Sequence, residues 1–450
     1  MNQNKEIYEV RRPVNIPENA CAVTSVVGSK SITNRALLLA AMADGTSALN
    51  DCLTSDDARC FIECLKALGF SVIERSDGNL GSNITITGLG GAVPQKNAEI
   101  YVGSAGTAAR FLVAMLAFSD GEYVVNSSYQ MKKRPMQPLI DVLRNAGAEV
   151  SCLEDDGHFP LRITGARACG SYIIPNSFSV NIDKSSQFLS ALLIAVGTLG
   201  KKAEINVTGS HGLSYVDLTA EMMKDFGVTV HKQTSEGGSV KYLFSGGHNY
   251  APLDYSIEPD MSAAAYFYAL AAVLGTSVTV RGVSENMLQG DIEFLRVLEK
   301  MGCKICAGNG DTAVTGPKNG ELKGGFTVDM SAFSDQALTL AAIAPFADAP
   351  ITITGIGHIR LQECDRISAI AENLAALGIK TDENPDSITI YPGRPHACNI
   401  KTYDDHRVAM SFALTGLRTD GVKILDPYCC KKTFAEYFDV LEDVLSQLSE

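Results

Sequence analysis

The stretch Asn34-Arg35-Ala36-Leu37-Leu38-Leu39-Ala40-Ala41-Met42-Ala43, followed by a turn and by the amphipathic run from Asp57 to Gly69, decides the reading of the whole chain. An alanine-rich, charge-poor helix with polar or charged residues at its front gives way to a β-branched strand. A second helix then ends at a glycine, and two further strands follow, Phe70-Ser71-Val72-Ile73 and Ile84-Thr85-Ile86-Thr87. The same front recurs near Thr107, Ser186, Ser262, Gln336 and Arg407, at intervals of 71 to 79 residues. A fixed period of this size means that one folding unit has been copied along the chain. Gly147, Gly227, Gly302 and Gly378 close the later amphipathic helices as Gly69 closes the first, in the position of a left-handed C-cap.

Six copies are too many for one core, and three plus three is the natural division. The sixth copy is cut short, because the helix expected from Thr433 to Leu445 has no strands after it. The missing strand is expected from Ile7 to Val14, which places both ends of the sequence in one domain. The chain then crosses between domains twice, near Cys21 to Gly28 and near Tyr250 to Glu258, where Pro252 and Pro259 favour extended backbone. The expected organisation is an α/β protein with a discontinuous domain, residues 1–26 and 250–450, and an inserted domain, residues 27–249.

Composition bounds the partners. With 51 acidic against 38 basic residues the net charge is -13, which argues against nucleic acid. Twelve cysteines have no regular framework and no signal-peptide pattern accompanies them, so they read as reduced thiols of a cytoplasmic protein. Cys303-x-x-Cys306 has ligand-like spacing but sits on an expected strand with no second pair. The uncharged run from Met261 to Val280 is long enough to span a membrane, yet Gly275 splits it into helix and strand, and a buried core is the better reading.

Chemistry is concentrated at the helix fronts. These are Gly28-Ser29-Lys30-Ser31 through Arg35, Gly103-Ser104-Ala105-Gly106-Thr107 through Arg110, Lys184-Ser185-Ser186-Gln187, Pro259-Asp260-Met261-Ser262, Ser334-Asp335-Gln336 and Asp404-Asp405-His406-Arg407. Each offers free backbone N–H groups and the positive end of a helix dipole, a preformed anion site. Serine and aspartate are also ordinary N-caps, so a single such front is weak evidence and its recurrence carries the argument. Met131-Lys132-Lys133-Arg134-Pro135 and Leu361-Gln362-Glu363-Cys364-Asp365-Arg366 add cations and carboxylates before two further helices. Pseudosymmetric copies are expected to bring these fronts toward one cleft between the domains.

Gly-Ser-Lys-Ser-x-x-Asn-Arg at 28 to 35, Ala-Gly-Thr-Ala-x-Arg at 105 to 110, Lys-Arg-Pro-Met at 133 to 136, Ser-Ser-Gln-Phe at 185 to 188, Glu-x-Asp-Arg at 363 to 366, Asp-His-Arg at 405 to 407 and Lys-Thr-Phe at 432 to 434 closely resemble the EPSP synthase family. The resemblance runs end to end in the family's order. It implies two similar domains, each of three βαβαββ units forming an inverse α/β barrel and joined by two crossovers. It also implies transfer of an enolpyruvyl group from phosphoenolpyruvate to the 5-hydroxyl of shikimate 3-phosphate, on the route to chorismate and the aromatic amino acids, without metal or organic cofactor and in a monomer.

By similarity, Lys30, Ser31, Arg35, Ser185, Ser186, Gln187, Tyr215 and Asp335 meet shikimate 3-phosphate, and Lys30, Gly106, Arg134, Gln187, Arg366, Arg407 and Lys432 meet phosphoenolpyruvate. Asp335, Glu363 and Lys30 would carry the protons. Two phosphates and two carboxylates need many fixed cations to be brought together.

The sequence departs from the family at Gln362, where lysine is usual, at His358 and Ser104, where asparagine is common, at Phe111, where proline is found, and around Ser210-His211-Gly212, where a serine is expected. Two readings therefore stand beside the main one, an enolpyruvyl transferase with another anionic acceptor and a lapsed enzyme that only binds phosphorylated metabolites. A nucleotide-binding loop at Gly28 lacks the spaced leading glycine, and Gly88-Leu89-Gly90-Gly91 opens no helix.

Overall fold

The computed structural model describes residues 7–76, 81–170, 174–209, 212–235 and 238–449. The chain forms two compact units, residues 28–257 and residues 1–27 with 258–450. Five four-stranded sheets and one three-stranded sheet are seen among the described residues.

The third copy shows the repeating plan without interruption. Strand Ser177–Asn181 leads through helix Gln187–Gly197 to the parallel strand Lys202–Thr208, and helix Leu213–Asp225 leads to the antiparallel pair Val230–Thr234 and Val240–Ser245. The last strand lies between the second and third, so the spatial order is first, second, fourth, third. Sheets built on Asn97–Tyr101 and Phe326–Asp329 have the same order.

Every amphipathic helix expected to end at a glycine does so. Gly69, Gly147, Gly227, Gly302 and Gly378 have φ between 79° and 97°. In each case the N–H after the glycine reaches back to the carbonyl five residues earlier, as from Phe70 to Leu65 at 3.0 Å and from Ile379 to Leu374 at 2.8 Å. That closes the orphan carbonyls of the last turn and aims the chain into the next strand.

The alanine-rich helices are Lys30–Met42, Gly106–Ala117, Gln187–Gly197, Met261–Leu274, Ala337–Ile343 and His406–Gly416. They are buried nearly all round, and their charged side chains fall within the first two turns. Small side chains let such helices approach closely. In one unit Gly106–Ala117 packs against both Lys30–Met42 and Gln187–Gly197, and in the other Met261–Leu274, Ala337–Ile343 and His406–Gly416 all touch one another. The 261–280 run is a helix ended by Gly275 at φ 70° and then strand Ser277–Val280, and no described helix is long and apolar enough to cross a membrane.

The two crossings exchange strands between units. Cys21–Thr24 runs directly into helix Lys30–Met42, yet it pairs in parallel with Ser277–Val280. Asp254–Ser256 runs into helix Met261–Leu274, yet it pairs with residues 48 to 50 of strand Asp44–Cys52. The expected boundary at residues 249–250 therefore falls eight residues early. Residues 250–256 are held to the 28–257 unit by Asp44 N to Tyr250 O at 3.1 Å, Leu253 N to Ser47 Oγ at 3.2 Å and Asn50 Nδ2 to Asp254 Oδ1 at 2.7 Å.

The strand completing the sixth copy comes from the other end of the sequence but is shorter than expected. Only Ile7–Glu9 pairs, antiparallel with Lys423–Leu425. The last helix is Tyr437–Ser449 rather than Thr433–Leu445, because residues 427–432 form a 3-10 turn that Thr433 ends at φ -140°.

Three copies share a feature with no mark in the sequence pattern. At the end of the fourth strand a glycine lies against the last carbonyls of the alanine-rich helix. A Cβ on Gly88 would lie 2.4 Å from the carbonyl oxygens of Ala40 and Ala43, one on Gly165 would lie 2.3 Å from Ser119 O, and one on Gly316 would lie 2.2 Å from Ala271 O. These obstacles are backbone and cannot rotate away. Gly88→Ala is expected to cost at least about 3 kcal/mol of unfolding free energy, in the range of overpacked cores. Gly308→Ala, where nothing lies within 4 Å of the new methyl, should change it by less than about 0.5 kcal/mol in the same urea titration.

Candidate functional site

Site residues in the discontinuous unit gather around one buried cation. Arg366 opens helix Arg366–Ala376, and its side chain is 1% exposed. Its Nε donates to Asp405 Oδ2 at 2.8 Å, Nη1 to Asp335 Oδ1 at 3.0 Å, and Nη2 to Glu363 Oε2 at 3.0 Å and Asp405 Oδ1 at 3.3 Å. Burial by itself would lower the proton affinity of this guanidinium, but Asp405, Glu363 and Asp335 outweigh it and hold the group charged well above the ordinary range. Arg407 donates through Nη2 to Asp335 Oδ2 at 2.7 Å. Asp335 is thus clamped between two guanidiniums.

Asp405 has a second task. It caps helix His406–Gly416, accepting from Arg407 N at 2.9 Å, and is wholly buried. Lys432, at the end of the 427–432 turn, donates to the Asp404 carbonyl at 2.8 Å and to its carboxylate at 3.1 Å. Sequence reasoning placed Asp335, Glu363, Arg366, Arg407 and Lys432 in this unit's share of the site; the bonds above join the first four, and those of Lys432 go to Asp404. It did not foresee that the three cations are paired with carboxylates of their own unit, because, apart from Arg366 with Glu363 three positions away, those pairings join residues 28 to 72 positions apart.

The 28–257 unit is built differently. The N-cap positions of its three alanine-rich helices, Ser29, Ala105 and Ser186, make no side-chain cap hydrogen bond among the described residues. Asp260 and Asp405 of the other unit do cap, so the ordinary N-cap reading holds for those two fronts, and Ser185 plays a similar part for Gln187 N at 3.3 Å. Lys30, at the first position of its helix, faces an unfavourable dipole and is paired with Asp57 at 3.4 Å.

Arg35 is 2% exposed. It donates to Thr219 Oγ1 at 2.7 Å, Ser31 O at 2.8 Å and Tyr215 O at 3.0 Å, and burial lowers its pKa to about 10. Gln187 accepts from Arg110 Nη1 and donates to Thr107 Oγ1 at 3.2 Å, and its backbone N–H donates to Ser185 Oγ at 3.3 Å. Arg110 is itself buried, with Phe188 5.0 Å beneath its guanidinium.

The basic run before helix Gln137–Asn145 splits three ways. Lys132 pairs with Glu154 at 2.6 Å, Lys133 lies 4.2 Å over the Tyr129 ring, and only Arg134 turns to Gly106. A Cβ on Gly106 would come within 2.6 Å of Arg134 Nη1. Arg134 Nε is buried with no hydrogen-bond partner among the described residues.

The departures from the family pattern have local partners. Gln362 accepts from Arg366 Nη1, a role that lysine cannot take. His358 Nε2 lies 2.7 Å from Ser334 Oγ, beside Asp335. Phe111 is the platform under Arg35, 5.4 Å from its guanidinium carbon, and Ser104 Oγ meets Ser128 Oγ at 2.7 Å. Gly212 has φ 63°, and a Cβ there would press on Ser186 Oγ at 2.7 Å, while Ser210 and His211 lie outside the described residues. Cys303 is buried and Cys306 exposed, so the two thiols do not share a side of their strand.

Sequence reasoning missed Asp291, which lies in the turn before the amphipathic helix that Gly302 closes, not at the front of an alanine-rich helix. It is 4% exposed and accepts from Ser262 Oγ at 3.1 Å and Gln336 Nε2 at 2.9 Å. The only available signal was an acidic residue inside Gln289-Gly290-Asp291-Ile292, between apolar neighbours.

The family model of EPSP synthase (3-phosphoshikimate 1-carboxyvinyltransferase) matches residues 14–441. Curated proteins named 3-phosphoshikimate 1-carboxyvinyltransferase are similar over nearly their whole length. That of Nostoc punctiforme is 40% identical over 98% of this chain and 99% of its own, and that of Escherichia coli strain SMS-3-5 is 40% identical over 92% and 94%. Among solved structures, EPSP synthase from Acinetobacter baumannii superposes with a TM-score of 0.75 at 24% identity, covering 95% of this chain and 97% of that one. The enolpyruvyl transferase NikO from Streptomyces tendae gives 0.72 at 15% identity, covering 97% and 96%. At these identities the structures speak for the fold.

Removing Asp405 strips Arg366 of its most buried partner and uncaps a helix at once. Asp405→Ala is expected to lower unfolding free energy by about 3–5 kcal/mol in chemical denaturation, the cost of an uncompensated buried charge. Glu363→Gln, which keeps an acceptor at a half-buried position, should lower it by less than about 1.5 kcal/mol.

Proposed function

The chain belongs to the EPSP synthase family, and from that premise we propose that it transfers the enolpyruvyl group of phosphoenolpyruvate to the 5-hydroxyl of shikimate 3-phosphate and releases phosphate. The observation that carries this reading is the Asp335 carboxylate, 3.0 and 2.7 Å from two guanidiniums whose charge suits an incoming carboxylate and phosphate. Anionic groups of phosphoenolpyruvate compete with Asp335 for Arg366 and Arg407. As they take those donors, the hold of the clamp on the carboxylate loosens, while both guanidinium charges stay beside it.

Asp335 then accepts the proton of the acceptor hydroxyl while its oxygen bonds to C2 of phosphoenolpyruvate, and a proton is delivered to the C3 methylene. The tetrahedral adduct loses a proton from C3 and expels phosphate, restoring the double bond. Glu363, held by Arg366 at 3.0 Å, and Lys30 are the groups assigned to the C3 and phosphate protons. Lys432 joins Arg366 and Arg407 in taking phosphoenolpyruvate.

Acceptor binding is assigned to the 28–257 unit, through the helix fronts at Ser29 and Ser186 with Lys30, Ser31, Arg35, Ser185, Gln187 and Tyr215. Arg35 acts there as a fixed buried positive charge. Gly106 and Arg134 complete the phosphoenolpyruvate set, since the buried unsatisfied Nε of Arg134 suits an anion. The reading needs one copy of the chain, and twelve unpaired thiols agree with a reducing, cytoplasmic setting. Gln362 is engaged by Arg366 of its own unit, which gives the alternative-acceptor reading no support of its own.

Purified protein should release phosphate from phosphoenolpyruvate when shikimate 3-phosphate is present, with or without chelator, and Asp335→Asn should slow turnover at least 100-fold. A preference for UDP-N-acetylglucosamine would overturn the acceptor. Gly106→Ala must push the Arg134 guanidinium aside. Its Michaelis constant for phosphoenolpyruvate should rise about tenfold, the loss of one charge-assisted hydrogen bond, while that for shikimate 3-phosphate stays within about twofold.

A further inference from the structure

Asp291 belongs to none of the groups assigned above, yet it is tied to Asp335 by a short chain of bonds. It sits on the 3-10 turn Gly290–Glu293. The Gln336 amide that donates to it at 2.9 Å belongs to the residue immediately after Asp335, is wholly buried, and accepts at its other end from Thr339 Oγ1 at 3.1 Å. The amide is fixed at both ends and cannot swing.

The turn beneath is anchored independently. Gln289 Oε1 accepts from Met261 N at 3.0 Å, and its Nε2 donates to Pro259 O at 2.7 Å and Glu258 Oε2 at 3.1 Å. Glu258 also accepts from Leu288 N at 3.1 Å. Asp291 is therefore held in place by Ser262 and by a braced loop whether or not Asp335 is present.

The charges facing Asp291 are Asp335 on its 3-10 turn, Arg407 at the front of His406–Gly416 and Asp260 at the cap of Met261–Leu274. Tyr266, on that last helix, faces Arg407, Arg366 and Asp335. Burial, and then Asp335, push the Asp291 carboxyl up to about 6 from its ordinary 3.8, while Arg407 and the Gln336 amide oppose them. With its carboxyl near that value, the group ionises as pH rises toward neutrality. Two guanidiniums reduce the tendency of Asp335 to take a proton, and a like charge increases it. Without a counterweight, Asp335 would be a poor base.

We propose that Asp291 is a positioning residue for the reaction: through Gln336 it fixes the turn that carries Asp335, and its buried charge offsets the arginines so that Asp335 stays basic enough to accept the hydroxyl proton. This rests on the reading of Asp335 as the proton acceptor. Removing the charge at 291 favours the ionised form of Asp335. The acid limb of kcat should then move to lower pH, and the plateau should fall because the base is weaker.

The test is kcat against pH from 4.5 to 9 for the full chain and its Asp291→Asn, Ser262→Ala and Asp335→Asn variants, by phosphate release at saturating phosphoenolpyruvate and shikimate 3-phosphate. Asparagine keeps an oxygen for both donors and loses only the charge. Its acid limb should move down by about one unit and its plateau kcat should fall about three- to tenfold, with both Michaelis constants within about twofold. Ser262→Ala removes one donor that favours the charged form of Asp291, so it should shift the limb the same way by less. It decides the matter if the asparagine variant does not fold. An acid limb that coincides with wild type in the folded variants, or a loss seen only in the Michaelis constants, overturns the inference. Near-normal turnover by Asp335→Asn would instead overturn the reading beneath it, whatever Asp291→Asn does.

Discussion

A guanidinium taken out of water must be matched by carboxylates, and Arg366 is matched by three. Much of the discontinuous unit is arranged to supply them. Asp405 comes from the front of one alanine-rich helix, Asp335 from the front of another, and Glu363 from the turn that Arg366 itself terminates. The sheets and glycine caps fix where those fronts lie. Breaking such a buried set costs several kcal/mol, whereas the set as a whole adds little net stability, so its worth is in geometry.

The two units solve the problem of buried cations in opposite ways. Arg366 and Arg407 are neutralised by carboxylates, and an arriving anion must exchange places with them. Arg35 and Arg110 are instead solvated by carbonyls, a hydroxyl, an amide and the faces of Phe111 and Phe188. The partners of Arg35 in that set are neutral, so an arriving anion need not displace a carboxylate from it. One chain thus holds a buried arginine kept in place by uncharged groups and a carboxylate-matched pair that an anion must rearrange.

The repeat was legible because it rests on local chemistry. Alanine-rich runs can only be buried helices here, and a glycine at φ near 90° can end a helix wherever it occurs. The family's motifs point to charged residues for the same reason, since each lies at a helix front or in the turn before a helix. What escaped was set by tertiary geometry. The boundary near residue 250 was misplaced because Asp254–Ser256 is assigned by a partner strand some 200 residues away. The Lys132 and Lys133 side chains were read with Arg134, but Glu154 and Tyr129 draw them elsewhere. Asp291 carried no periodic signal, and its meaning depends on Gln336, 45 positions further on.

The exchange of strands at the two crossings imposes a timetable on synthesis. Strands Lys202–Thr208 and Val240–Ser245 find each other within one copy, and the 28–257 unit has every strand of its three sheets once residue 256 has emerged. Cys21–Thr24, made before that unit, has no partner until Ser277–Val280 appears, and Ile7–Glu9, made earlier still, has none until Lys423–Leu425. At ordinary elongation rates of about 5–20 residues per second, these segments wait on the order of ten seconds to more than a minute for their partners. The ribosome therefore completes the 28–257 unit first, and Ile7–Glu9 waits longest for its partner strand.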